Sequence, residues 1–334
     1  MIPVGQPYRP AGSLDARSIL ITTILGSTAA VLGAAFVWAW EWSPIPTLVI
    51  LTPIAQGLGV GFVMAFAVGR LGMRHPRLVG TVGFACGLLS AVLVHYGHYI
   101  HLATSITEEI RAEVVQNQSI PEAKRSEILG KLDSDPDAVV DSLLEERTGY
   151  SGFLGSLWLR NEQGVQIKRM PVTGNWLWGL WGFEALVVAF AASTIPAGRA
   201  SEPFCEDCGY WCAKEPDAFT LPAGLSAPLA EAIREDKAAR VGELRTDPPD
   251  FDTTGAVGVT LHACPGCDQA FAEVSHRVSD GKNTRVTALL KPTRVSPEMT
   301  SAIRYEPAQA GPAAPEEAAE PGAGGIVDEP SPTA

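Results

Sequence analysis

The chain of 334 residues is 46% hydrophobic and only 19% charged, with a mean hydropathy of +0.12. The apolar residues are gathered in runs long enough to cross a bilayer, which excludes an all-soluble protein. The net charge of −12 is also uneven: residues 197–334 hold 12 Lys and Arg against 22 Asp and Glu, an acidic half that repels phosphate backbones and disfavours a nucleic-acid partner.

Residues 1–17 form a short tail with Arg9 and Arg17 against Asp15. Apolar runs follow at 18–40, 47–68 and 78–100, and a fourth at 176–196. Each approaches the roughly 20 residues that a membrane-crossing helix needs. The expected fold is therefore a membrane α-helical bundle of four transmembrane helices, three within 18–103 and the fourth within 174–196. Loop charges orient it. The 69–77 turn carries Arg70, Arg74 and Arg77 without an acid, whereas the first turn carries only Glu41. By the positive-inside rule the N-terminal tail and that turn are cytoplasmic, 104–173 is an extracytoplasmic insert, and 197–334 returns to the cytoplasm. Trp38, Trp40 and Trp42 close the first span while Trp176, Trp178 and Trp181 open the fourth, forming an outer aromatic belt. The expectation is a multi-pass protein of a bacterial-type inner membrane, with both termini inside and the lipid bilayer as a partner.

The pairs Ala30/Ala34, Gly57/Gly61 and Gly83/Gly87 are small-xxx-small motifs. They let helix backbones approach closely, within the bundle or between copies in a homo-oligomer. Cys86 reads as a further small packing residue. Two features are polar where lipid is expected: His95, His98 and His101 end the third span, and Glu184 lies inside the fourth. An intramembrane carboxylate is a functional-site candidate by default. If the two spans are neighbours, Glu184 with His95 and His98 could bind a proton or a divalent ion from outside. The plainer reading is a neutral Glu184 bonded to another helix, with histidines wetting the end of a span.

The insert reads mostly as helix, with starts at Thr107-Glu108-Glu109, Pro121-Glu122 and Asp135-Pro136-Asp137, where acids and proline favour a first turn. Residues 149–159 are apolar, aromatic and glycine-rich but too short to span. They suit either the outer membrane surface or a contact with the bundle. The insert has no cysteine.

Five of the six cysteines lie in the cytoplasmic half, where Cys205/Cys208 and Cys264/Cys267 form two C-x2-C pairs. Such a pair makes a tight knuckle with both sulfurs facing one ion. A redox reading of the second pair wants a helix after it. Residues 270–278 and 284–290 instead read as strands joined by a turn at 279–283, with 258–263 a third strand. Paired knuckles with a three-stranded sheet resemble a zinc ribbon over about residues 203–294. Cys208-Gly209-Tyr210 and Cys264-Pro265 also resemble the knuckles of rubredoxin. The ribbon resemblance implies a small β domain over 197–304 in which Cys205, Cys208, Cys264 and Cys267 hold one structural Zn2+; the rubredoxin resemblance keeps Fe as the alternative. The spacing departs from the ribbon, because 55 residues separate Cys208 from Cys264 where about 15–20 are usual. A helix over 227–241 accounts for the excess. Cys212 and His262 are spare candidate ligands, read instead as a core thiol and a histidine at the surface or behind a ligand.

Residues 305–334 are mostly Ala, Pro, Gly and Glu and are expected to be a disordered acidic tail. No Gly-x-Ser-x-Gly elbow, P-loop or His-Glu-x-x-His occurs, so no catalytic residue is assigned and an enzyme is not favoured. A closed four-thiolate set argues for structure over chemistry. The expected function is that of a membrane protein whose zinc ribbon is a protein-interaction or regulatory scaffold module. The alternative is a transporter, an enzyme or an iron-ribbon electron carrier using the His95/His98/Glu184 cluster or the four-cysteine site.

Overall fold

The computed structural model describes residues 3–10, 15–41, 51–167, 170–246, 255–279 and 284–305. The expected tail beyond Tyr305, the turn at 280–283, residues 47–50 of the second apolar run and Trp42 lie outside them. The chain divides into two compact units, one of Tyr8–Ala213 with Cys264–Cys267, the other of Ile2–Pro7, Lys214–Ala263 and the residues from Asp268 on.

The first unit contains α1 (Ala16–Glu41), α2 (Leu51–Leu71), α3 (Pro76–Gln116), α4 (Glu122–Ser134), α5 (Pro136–Thr148), α6 (Gly152–Gln163), a small hairpin β1 (Val165–Ile167) and β2 (Met170–Val172), α7 (Asn175–Ala200), and a second hairpin β3 (Phe204–Cys205) and β4 (Tyr210–Trp211). Of these, α1, α2, α3 and α7 are long and apolar enough to cross a membrane. Leu20, Phe36, Phe62, Phe66, Phe183 and Phe190 are exposed on them, an outward apolar surface that water would disfavour.

Small residues let α7 sit against both α2 and α3. A Cβ added at Gly57 would lie 2.5 Å from the Val188 carbonyl oxygen, at Gly83 2.6 Å from that of Ala192, and at Gly87 2.6 Å from Ala189 Cα. These glycine faces are covered within one chain, so a homo-oligomer would have to use another face. Ala30 joins Val60, Met64, Cys86 and Ala192 in one buried cluster, which bears out Cys86 as a packing residue. A polar thread crosses the same level: Gln56 Nε2 donates to Ser90 Oγ at 2.8 Å, and Ser90 Oγ donates to the Ala30 carbonyl at 2.9 Å. It ties α2, α3 and α1 with every buried group in the thread satisfied.

The third span and the first insert helix are one element. Sequence reading separates them near residue 104, yet α3 runs unbroken for 41 residues. No proline or glycine lies between Gly97 and Gln116. The Thr107 hydroxyl, which reads as a helix start, donates back to the Ala103 carbonyl, as that of Thr104 does to Ile100, and so both sit inside the helix. At roughly 1.5 Å per residue α3 is about 60 Å long, twice the roughly 30 Å of a hydrocarbon core. The insert packs on its far half. Asp135 caps α5 by accepting from Ala138 N at 3.1 Å, and Gly149 ends it in the left-handed region at φ 78°. Val140, Leu144 and Leu159 then bury against Ala103 and Tyr99. The 149–159 stretch becomes mostly α6: Phe153 meets Tyr96 and Tyr99 of α3, while Leu154 and Trp158 stay exposed.

The second unit is built on a four-stranded sheet in the order β5 (Ala213–Pro222), β6 (Ala256–Ala263), β7 (Ala270–Ser279), β8 (Thr284–Val295), the last three pairing antiparallel. The three expected strands are present; β5 was not anticipated. The helix expected over 227–241 is two, α8 (Ser226–Arg234) and α9 (Ala238–Thr246). Asp236 breaks it at φ 55°, and its carboxylate accepts from Ser296 N at 3.0 Å, just before α10 (Pro297–Arg304). Leu229, Ile233, Val241, Met299 and Ile303 from these helices, with Leu225 just before α8, bury against Val257, Val259, Leu261 and Val274 of the sheet. The N-terminal tail takes part: Gly5 N donates to Arg294 O at 2.8 Å and Arg294 N to Gln6 O at 3.0 Å, extending the β8 edge.

Candidate metal centre

The first knuckle is the β3–β4 hairpin, with Cys205 paired to Tyr210 and Phe204 to Trp211. Gly209 N donates to Cys205 O at 3.0 Å, and Gly209 closes the turn at φ 71°, a region that favours glycine. The second knuckle links β6 to β7. There Gly266 N donates to Cys264 Sγ at 3.3 Å. A Cβ at Gly266 would lie 3.3 Å from Cys208 Sγ, so a side chain there would crowd the facing knuckle.

These turns bring Cys205, Cys208, Cys264 and Cys267 together, with the four sulfurs all within 4.8 Å of one another. Zn–S bonds of about 2.3 Å in a tetrahedron put sulfurs about 3.8 Å apart. Cys205 Sγ and Cys267 Sγ are 3.7 Å apart. Cys205 and Cys264 are buried, Cys208 is half-buried and Cys267 exposed. The dimensions and the all-thiol donor set fit one tetrahedral ion such as Zn2+ or Fe.

Electrostatics within the group are asymmetric. Burial raises Cys205, and hydrogen bonding with Cys267, followed by burial, raises Cys208. Cys264 is lowered: burial opposes this, but the Gly266 N–H and the bonds from Cys205 and Cys267 outweigh it. Cys212, the fifth cysteine of this half, stands outside the four. It is buried and pushed up to about 12, chiefly by burial and then by the charges of Cys264, Cys205 and Cys267, as a core thiol would be. His262 is not among the four either. It is buried, not superficial, with Nε2 3.4 Å from Glu273 Oε2.

The first knuckle is stapled to the helices through contacts that no motif announced. Arg74 lies over the Phe204 ring at 4.9 Å and pairs with Glu206 at 2.6 Å. Phe204 meets Trp211 edge-on at 5.1 Å, and Trp211 Nε1 donates to the Gly69 carbonyl at 2.8 Å. Arg199, near the end of α7, lies over Trp211 at 4.6 Å. Arg74, which the loop-charge argument counted as anonymous positive charge, and Arg199 both have specific aromatic partners. Tyr8 lies in the same neighbourhood, pushed up to about 12 by burial against the opposing effect of Arg74.

Of the polar residues in the apolar helices, His95 has its ring 5.0 Å from Trp181 of α7 and its Nδ1 3.3 Å from an Arg160 guanidinium nitrogen of α6. Arg160 also lies over the Trp181 ring at 5.6 Å. His98 is half-buried one turn further on, His101 faces Trp38 at 6.3 Å, and Glu184 is half-buried one turn beyond Trp181. Arg160 is the functional candidate that sequence reading missed, being an ordinary arginine near the end of a short helix. Comparisons of the chain with protein-family models, with curated proteins and with solved structures each find no match.

Proposed function

We propose that the chain is a multi-pass inner-membrane protein in which Cys205, Cys208, Cys264 and Cys267 hold one structural zinc ion at the cytoplasmic face. Four sulfurs within 4.8 Å of one another carry the reading. No ligand position is left open in such a set, so the ion fixes shape and does not act on a substrate. In this reading α1, α2, α3 and α7 span, the arginine-rich α2–α3 turn is inside, and α4, α5 and α6 are outside. Pairing of residues 5–7 with β8 supports a common side for the N-terminal tail and the β unit, as an even number of spans requires. Arg74 and Trp211 hold the first knuckle on the bundle, and the acidic β unit is a scaffold or regulatory surface for a protein partner.

Metal analysis of the purified full chain tests this directly. One zinc per chain in a colourless protein is expected, and Cys264→Ser should lose the metal and leave residues 203–294 open to protease while Cys86→Ser does neither. Strong visible colour with iron favours the electron-carrier alternative, and a compact metal-free wild type refutes the reading. Orientation has its own test: a reporter active only outside the cytoplasm should be active when fused at Asn117 and silent at Pro312.

A further inference from the structure

The strongest unassigned constellation lies far from the cysteines, where α3, α6 and α7 converge. A guanidinium has only N–H donors. The 3.3 Å approach of Arg160 to His95 Nδ1 therefore requires that nitrogen to be a lone-pair acceptor, with the imidazole neutral and its proton on Nε2. Trp181 packs under both groups, 5.0 Å from the His95 ring and 5.6 Å from the Arg160 carbon, and excludes water from one side. Glu184 follows Trp181 by one helical turn. The α3–α7 register set by Gly83 at Ala192 and Gly87 at Ala189 brings Glu184 to within about one turn of the depth of His95.

We infer that Arg160, His95 and Glu184 form a proton-binding site, reached from the side of the insert, that governs the seating of α6 on the bundle. A proton arriving from solvent takes the Nδ1 lone pair to which Arg160 donates. Two N–H groups and two positive charges then face each other. Arg160 is expelled, and the imidazolium turns to the Glu184 carboxylate for its counter-charge. The other titratable groups nearby are His98 and Tyr99 on α3 itself, Asp141 of α5, which accepts from the Tyr99 hydroxyl at 3.2 Å, and Glu162 of α6. At this level α1 contributes the apolar Val37 against Val94. Arg160 is thus a cation in contact with the ring, and protonation of Nδ1 removes the acceptor that it uses there.

The site is independent of the four-cysteine centre, so its test stands whatever metal is found. Hydrogen exchange of the α6 amides is measured in the purified full chain from pH 5 to pH 8, corrected for the intrinsic pH dependence of exchange. Losing a hydrogen bond to a charged group lowers α6 protection by about tenfold or more. That fall is expected within the pH range scanned, where an imidazole can change its charge. His95→Gln keeps an acceptor for Arg160 but takes no proton, so its α6 stays protected at every pH. Glu184→Gln removes the counter-charge and moves the fall to lower pH. His98→Gln leaves the wild-type profile. A flat wild-type profile, a pH-dependent His95→Gln, or an unmoved midpoint in Glu184→Gln each overturns the assignment.

Discussion

Gly57→Ala and Gly59→Ala add the same methyl group two residues apart on α2, and the structure assigns them opposite fates. At Gly57 the new Cβ would meet the Val188 carbonyl oxygen at 2.5 Å, Ala191 Cβ at 2.7 Å and Val188 Cα at 3.0 Å. At Gly59 nothing lies within 4 Å. Carbon atoms prefer separations of about 3.5–4.0 Å, so α2 and α7 must part by roughly 1 Å where they cross. Two of the three clashing atoms are backbone and cannot swing aside. Overpacking of that kind costs about 1–3 kcal/mol, offset by the roughly 0.5–1 kcal/mol that alanine contributes over glycine within a helix. With three atoms clashing at once the upper part of that range, about 2–3 kcal/mol, applies, so the net loss at Gly57 is about 1–2 kcal/mol, whereas Gly59→Ala retains only the gain. At about 2–4 °C per kcal/mol for a chain of this order, Gly57→Ala should melt roughly 2–8 °C lower than wild type. Gly59→Ala should match or exceed wild type. Thermal aggregation of detergent-purified protein, followed by size-exclusion chromatography, reads both. Equal melting of the two variants, or a more stable Gly57→Ala, would refute close α2–α7 packing and the bundle built on it.

Asp135→Ala removes the α5 cap bond to Ala138 N and should destabilise that helix by about 1 kcal/mol, seen as faster amide exchange in its first turn. Trp211→Phe retains a ring for Arg199 but leaves the Gly69 carbonyl without its indole donor; a loss of about 1–3 kcal/mol is expected from chemical denaturation. Glu273 is held below the usual carboxylate range, chiefly by its bond to His262. Its contribution is therefore present above its unfolded value, about pH 4.3, and is lost as pH falls through the lower folded value. The acid limb of the stability curve should be shallower in Glu273→Gln, and an unchanged limb would remove Glu273 from the account.

The helical skeleton was legible because apolar runs of about 20 residues are read from composition alone, and the knuckles because C-x2-C is a local signature. What escaped was set by partners distant in sequence. Thr107 looks like a helix start, and only its bond back to Ala103 reveals helix interior. The break at Asp236 depends on Ser296, and the edge pairing of Gly5 and Gln6 depends on Arg294, almost the whole chain away. At the site, the four sulfurs could be named from spacing, but the Arg74, Phe204 and Trp211 staple could not. Cation–π contacts leave no periodic trace in a sequence, and Arg160 is hidden for the same reason.

X-ray absorption at the metal edge of the purified full chain tests the central claim most directly, because it counts the atoms bound to the ion and measures their distances. The four-thiolate centre predicts zinc with four sulfur neighbours at about 2.3 Å, falling to three in Cys208→Ser. A spectrum dominated by nitrogen or oxygen neighbours at about 2.0 Å, or a folded protein without metal, would contradict it.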